Sequence, residues 1–114
     1  MALLAMAIPI LPGKTDQWRR FVAELAGPRR GEYVASRQRL GVHERAFLQS
    51  TPQGDLVIVT VDGADPAGAV SQFGAPGDPF TQWFREQVLE IHGFGLAQPL
   101  PGPPPELLVD SRPG

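Results

Sequence analysis

The sequence predicts an α+β domain: an antiparallel four-stranded sheet with helices on one face. Its other face is left for a second copy of the chain. Three observations carry this. Residues 56–61 are apolar on both faces of a strand, Leu56 and Ile58 pointing one way and Val57, Val59 and Val61 the other. Residues 2–8 repeat the pattern, with Leu3, Ala5 and Ala7 opposite Leu4, Met6 and Ile8. A chain of 114 residues holds one core and enough helix to cover one sheet face only. The uncovered face therefore predicts a homodimer built by sheet packing.

The elements follow in order. A first strand over about 2–10 ends at the turn signal Pro12-Gly13. A helix then starts near Thr15, with Trp18, Phe21, Val22 and Leu25 at the i, i+3, i+4, i+7 spacing of one buried face; Gly27-Pro28 stops it. Residues 30–40 read as a second short helix with Tyr33, Val34 and Leu40 inward and its arginines outward. Gly41 closes it. The hairpin from Val42 to Val61 turns through Thr51-Pro52-Gln53-Gly54-Asp55, a loop of four to five residues. Asp65-Pro66 is an N-cap followed by proline at the first helical position, opening a helix over 66–74 that buries Ala67, Val70 and Phe73. Asp78-Pro79 repeats the signal for a longer helix with an apolar face of Phe80, Trp83, Phe84, Val88 and Ile91, ended by Gly93. The proline-rich spacer 98–105 then leads to Glu106-Leu107-Leu108-Val109-Asp110, which reads as a final strand. This order is the split β-α-β of a single ferredoxin-like domain spanning 1–114.

Composition narrows the function. The net charge of −2 argues against a nucleic-acid partner. No apolar run approaches the 18 residues of a membrane span. The opening apolar residues lack the basic flank of a signal peptide, so a cytoplasmic protein is expected. Without cysteine there is no thiolate chemistry. Two histidines without HExxH spacing or an acidic pair predict no metal site. No phosphate-cradling glycine loop and no G-x-S-x-G motif is present. Charge is uneven: residues 1–45 carry eight basic and four acidic groups, and residues 46–114 two and eight. Either the halves pair with each other, or one or two of the arginines hold an anionic or carbonyl-bearing ligand.

The chemistry-bearing residues are few. His92, in the last turn of the long helix, reads as a C-terminal cap, as a general acid or base favoured in its charged form by the helix dipole, or as a haem ligand. His43, Arg45 and Gln49 alternate along the second strand, either as a polar pocket wall or as a solvated strand end, with Glu44 on the opposite face. Trp18, Trp83, Tyr33 and Phe84 are candidates for an aromatic pocket lining, and Arg37 for a ligand contact. The expected catalytic set is His92, His43 and Arg45; the expected substrate contacts are Trp83, Tyr33, Arg37, Gln49, Trp18 and Phe84.

The element order and two-faced strands resemble the dimeric α+β barrel superfamily, which includes antibiotic-biosynthesis monooxygenases, haem-degrading monooxygenases, polyketide cyclases and muconolactone isomerases. Residues 36–41, 47–55 and the stretches Asp78-Pro79-Phe80 and Glu90-Ile91-His92-Gly93 are similar to a family of uncharacterised small bacterial proteins. The resemblance implies a pocket between sheet and helices, and a small-molecule ligand. It also implies a cofactor-independent oxygenase, cyclase or isomerase acting on an apolar or aromatic metabolite. A non-catalytic binding protein, or a haem protein using His92 or His43, are the alternatives on the same scaffold. The monooxygenases use Trp, Asn and Tyr on flat polyphenols; Trp83 and Tyr33 match in type, but this sequence contains no asparagine.

Overall fold

The computed structural model describes residues 2–75, 77–95 and 105–113. Its elements run β1 (Ala2–Pro9), α1 (Thr15–Ala26), α2 (Arg30–Arg39), β2 (Val42–Thr51), β3 (Gly54–Gly63), α3 (Pro66–Gln72) and α4 (Pro79–His92). Among the described residues the sheet has three strands in the order β1-β3-β2, all antiparallel. The two-faced strand β3 is thus central, paired on both edges.

Register decides which side chains share a face, because residues directly opposite in an antiparallel pair point the same way. Leu4, Val61 and Glu44 form one row toward the helices; Met6, Val59 and Ala46 form the next, and Ile8, Val57 and Leu48 the third. The alternate rows face away: Leu3, Asp62 and His43; Ala5, Thr60 and Arg45; Ala7, Ile58 and Phe47; Pro9, Leu56 and Gln49. Among the described residues no helix covers this second face, where Leu3 stays 51% and Phe47 53% exposed.

The helical layer closes the core. α2 lies against β2, α3 against β1 and β3, and α1 and α4 against each other. Trp18, Phe21 and Leu25 of α1 and Phe80, Phe84, Val88 and Ile91 of α4 are buried, as their helical spacing requires. Each such side chain is worth about 1.5–3 kcal/mol of burial. Both aspartate caps form: Asp65 Oδ1 accepts from the Gly68 N–H at 3.1 Å and Asp78 Oδ1 from the Thr81 N–H at 2.8 Å. The Thr81 N–H, the nearest of its donors, holds the Asp78 carboxyl below the usual range. Gly93 ends α4 with φ +81°, and a Cβ there would press on the Leu11 side chain at 3.1 Å.

Four expectations change. The hairpin turn is shorter than the four to five residues expected, because pairing continues to Thr51↔Gly54 and leaves only Pro52-Gln53 as the loop; the Thr51 hydroxyl donates to the Gly54 carbonyl at 2.6 Å and closes it. α3 ends at Gln72 and buries Pro66 and Ala69 while Ala67 is exposed, since the helix meets the sheet one position earlier than its hydrophobic pattern suggests. Arg37 of α2 is buried rather than outward. The fourth strand over 106–110 is not formed: residues 105–113 carry no strand and all are exposed, Leu107, Leu108 and Val109 by 64%, 81% and 84%. A strand needs a paired edge to satisfy its backbone groups, and this segment hydrogen-bonds only locally, Arg112 to Asp110. Apart from Pro105, the proline-rich spacer expected over 98–105 lies outside the described residues.

Candidate functional site

An apolar pocket opens between the helix-facing side of the sheet and the helical layer. Met6, Ile8, Ala46, Val57 and Val59 form its floor; Trp18, Phe21, Val22, Leu25, Val70, Phe73, Phe84 and Val88 form its walls. Its enclosed part measures about 70 Å³ and the whole recess, mouth included, about 660 Å³. The polar side chains on this lining are Tyr33, Glu44 and His92.

Glu44 is the first. Its cross-strand partner Val61 is fully buried, so the register carries a carboxylate into the core. Burying a charge is costly unless it is paired and hydrogen-bonded. α2 supplies the partners: Arg37 donates from Nε to Glu44 Oε1 at 2.7 Å, and the Tyr33 hydroxyl donates to the same oxygen at 2.8 Å. The ion-paired side chains are 6% and 8% exposed. Arg37 Nη1 donates to Ser36 Oγ at 3.0 Å, and its guanidinium lies 3.7 Å from the Phe73 ring centroid and 4.7 Å from that of Phe84. Arg37 Nη2 is buried with no partner among the described residues. Burial, and next the negative charge of Glu44, push the Tyr33 phenol well above its ordinary pKa of 10.0, so it remains a donor.

His92 is the second polar group. Its Nδ1 lies 2.8 Å from the Pro9 carbonyl at the end of β1. A carbonyl only accepts, so Nδ1 carries the proton and the neutral ring presents Nε2 as a lone pair. The ring ties α4 to β1 beside the backbone bond from Leu11 N–H to Ile91 O at 2.9 Å. The helix dipole was expected to favour the charged ring; instead burial lowers the His92 pKa below 6.5, and the Pro9 bond offsets this only in part. Nor does the ring cap its own helix, because its partner is on another element.

The remaining candidates divide by position. Trp18, Tyr33 and Phe84 line the pocket with His92. His43, Arg45 and Gln49 do not: their register places them on the uncovered sheet face, where Arg45 pairs with Asp62 at 3.1 Å. The strand's alternation was legible, but the face that meets the helices is the one holding Glu44. Trp83 sits outside the pocket in a surface groove between α1 and α4, under the Arg29 guanidinium at 4.2 Å from its ring centroid. Arg37 does not line the pocket; its charge is spent on Glu44. Sequence reasoning set Glu44 on the face opposite the expected wall of His43, Arg45 and Gln49 and gave it no role. The missed signal was a lone carboxylate at an inward position one strand register from an all-valine face. Among the described residues no group of three or more His, Asp or Glu stands ready to hold a metal, and no helix is long and apolar enough to cross a membrane. Comparison of the chain with protein-family models, curated proteins and solved structures gives no match.

Two predictions follow from this geometry. Arg37→Ala strands a buried carboxylate and is expected to cost about 3–5 kcal/mol in chemical denaturation, whereas Arg37→Met combined with Glu44→Leu recovers most of that loss. A double variant no more stable than Arg37→Ala would show that the pair is not the cause. The second concerns acid. The folded state disfavours the protonated His92 ring, so the unfolded chain takes up more protons and stability falls as pH drops below about 6.5. His92→Gln is expected to flatten that part of the stability–pH curve.

Proposed function

We propose that this chain is a small cofactor-independent enzyme, of the oxygenase, cyclase or isomerase type, that moves a proton on an apolar or aromatic metabolite held in this pocket. The observation that carries the reading is His92: a neutral imidazole with Nδ1 fixed by a backbone carbonyl and Nε2 without a hydrogen-bond partner among the described residues, on the wall of an apolar recess. A base so placed is ready at neutral pH, and general-base catalysis contributes about 10²–10⁴-fold. Glu44 is ion-paired with Arg37, and the Tyr33 hydroxyl donates to Glu44, which makes the neutral His92 ring the base in this reading. The same pocket without turnover gives the second reading, a small-molecule-binding protein. A haem-binding role is the weakest. A histidine with its Nδ1 proton on a carbonyl suits metal ligation, but a macrocycle far exceeds the about 70 Å³ of enclosed space.

The assembly belongs to the same proposal. The uncovered face offers Leu3, Ala7, Phe47, Leu56 and Ile58 around the Arg45–Asp62 pair, a mixture that a twofold copy of itself can cover. Glu106–Asp110 then supplies a fourth strand at a free sheet edge, completing the ferredoxin-like sheet and the two-sheet barrel of the dimeric α+β superfamily.

Deuterium uptake at the α-carbon of phenylacetone, followed by proton NMR in D₂O, tests the chemistry. The wild type is expected to accelerate exchange and His92→Gln to lose at least about 100-fold of that acceleration; binding without acceleration leaves the non-catalytic reading in place. Native mass spectrometry tests the assembly. The expected mass is twice 12.3 kDa for the wild type and a single chain for Phe47→Glu, which puts a charge on the exposed apolar part of the uncovered face.

A further inference from the structure

The Arg37–Glu44 contact is closed on one side only. Both Arg37 Nε and the Tyr33 hydroxyl fall on Glu44 Oε1, whereas Oε2 accepts no hydrogen bond among the described residues. The side-on fork that usually joins these groups uses Nε on one oxygen and Nη2 on the other, and here Nη2 is without a partner as well. Glu44 is more than nine-tenths buried and lines the apolar pocket. Glu44 thus brings to the pocket lining a strong acceptor oxygen that no neighbouring donor among the described residues meets. Unlike Arg37 Nη2, this oxygen keeps accessible surface, and a ligand hydroxyl that reaches it replaces water with a charge-assisted hydrogen bond.

We propose that Glu44 Oε2 receives the hydroxyl of a neutral, apolar alcohol or phenol, and that this contact sets which ligands the pocket takes. The inference rests on the pocket being the binding site, and it adds the ligand class. Charge balance selects the class. Arg37 already neutralises Glu44, so a cationic amine would leave a net positive charge buried among Phe73, Phe84 and Val70. An anionic carboxylate would meet Glu44 itself, with the guanidinium screened behind it. Only a neutral donor satisfies Oε2 without adding a buried charge. The aromatic walls favour a ring small enough to sit in the wider recess, about 660 Å³ with its mouth. Arg37 and Tyr33 act as positioning residues: both hold the carboxylate through Oε1 and leave Oε2 free.

The test is a panel of matched probes titrated into the wild-type protein by NMR: phenol, benzene, benzoate and benzylammonium, at pH 7. Phenol is expected to bind at least about tenfold tighter than benzene and tighter than either ion, and to shift the ¹³C resonance of the Glu44 carboxyl. Equal affinity for phenol and benzene overturns the proposal while leaving an apolar pocket. Tightest binding of benzoate or benzylammonium overturns it in favour of a charge-reading site, and no binding by any probe removes the pocket reading along with it. Glu44→Gln supplies the second arm. Its amide oxygen stays on Arg37 Nε, which puts a donating NH₂ where Oε2 stood, so the preference for phenol over benzene is expected to vanish. A preference that survives this substitution also overturns the proposal. If that variant does not fold, the wild-type panel and the Glu44 resonance decide alone.

Discussion

The constraint on which the molecule depends is the parity of one strand. β3 is apolar on both faces, but Val57, Val59 and Val61 are the three positions it buries against the helices. Once they face inward, pairing fixes every other residue of the sheet: Leu4, Met6 and Ile8 come inward from β1, and Glu44, Ala46 and Leu48 from β2. A slip of one residue in β2 would exchange Glu44 for His43 and Arg45. The floor of the pocket, and the chemical character of its edge, are set by that choice.

From the parity follows the electrostatics. A carboxylate beside the fully buried Val61 is tolerable only with a cation against it, and α2 carries Arg37 to that place while Phe73 and Phe84 cover the guanidinium. The outcome is a fixed dipolar pair at one part of an apolar recess. At another part stands His92, kept neutral by burial and oriented by the end of β1. The two groups differ in what meets them: the carboxylate has a guanidinium against it, whereas the imidazole has only a backbone carbonyl. A pocket with one committed carboxylate, one neutral base and aromatic walls is suited to neutral apolar ligands.

The other sheet face shows the same physics unsatisfied. Phe47 and Leu3 are half exposed there, and the apolar tail Leu107-Leu108-Val109 is more exposed still. Apolar surface of this kind on adjoining strands is what interfaces are made from. Arg45 and Asp62 pair within the face, so covering it does not require a partner to supply a counter-charge.

Much of this was legible in the sequence. Proline and glycine punctuation, the Asp-Pro helix starts and the 3.6-residue spacing of Phe80, Phe84, Val88 and Ile91 located the helices, because these signals act within a few residues of one another. The alternation in residues 2–8 and 56–61 likewise determined which residues share a face. Alternation cannot say which face the helices take, however, and for β2 that was decided by cross-strand pairing with β3. His43, Arg45 and Gln49 were thereby turned outward, and Glu44 inward to meet Arg37. The charge state of His92 was also a tertiary matter: the helix end predicted a cation, and burial against β1 made it neutral. The sequence by itself determined the elements and their two-sided apolar pattern, whereas only the tertiary structure decided which polar groups share the pocket, because pairing and desolvation act between segments far apart in the chain.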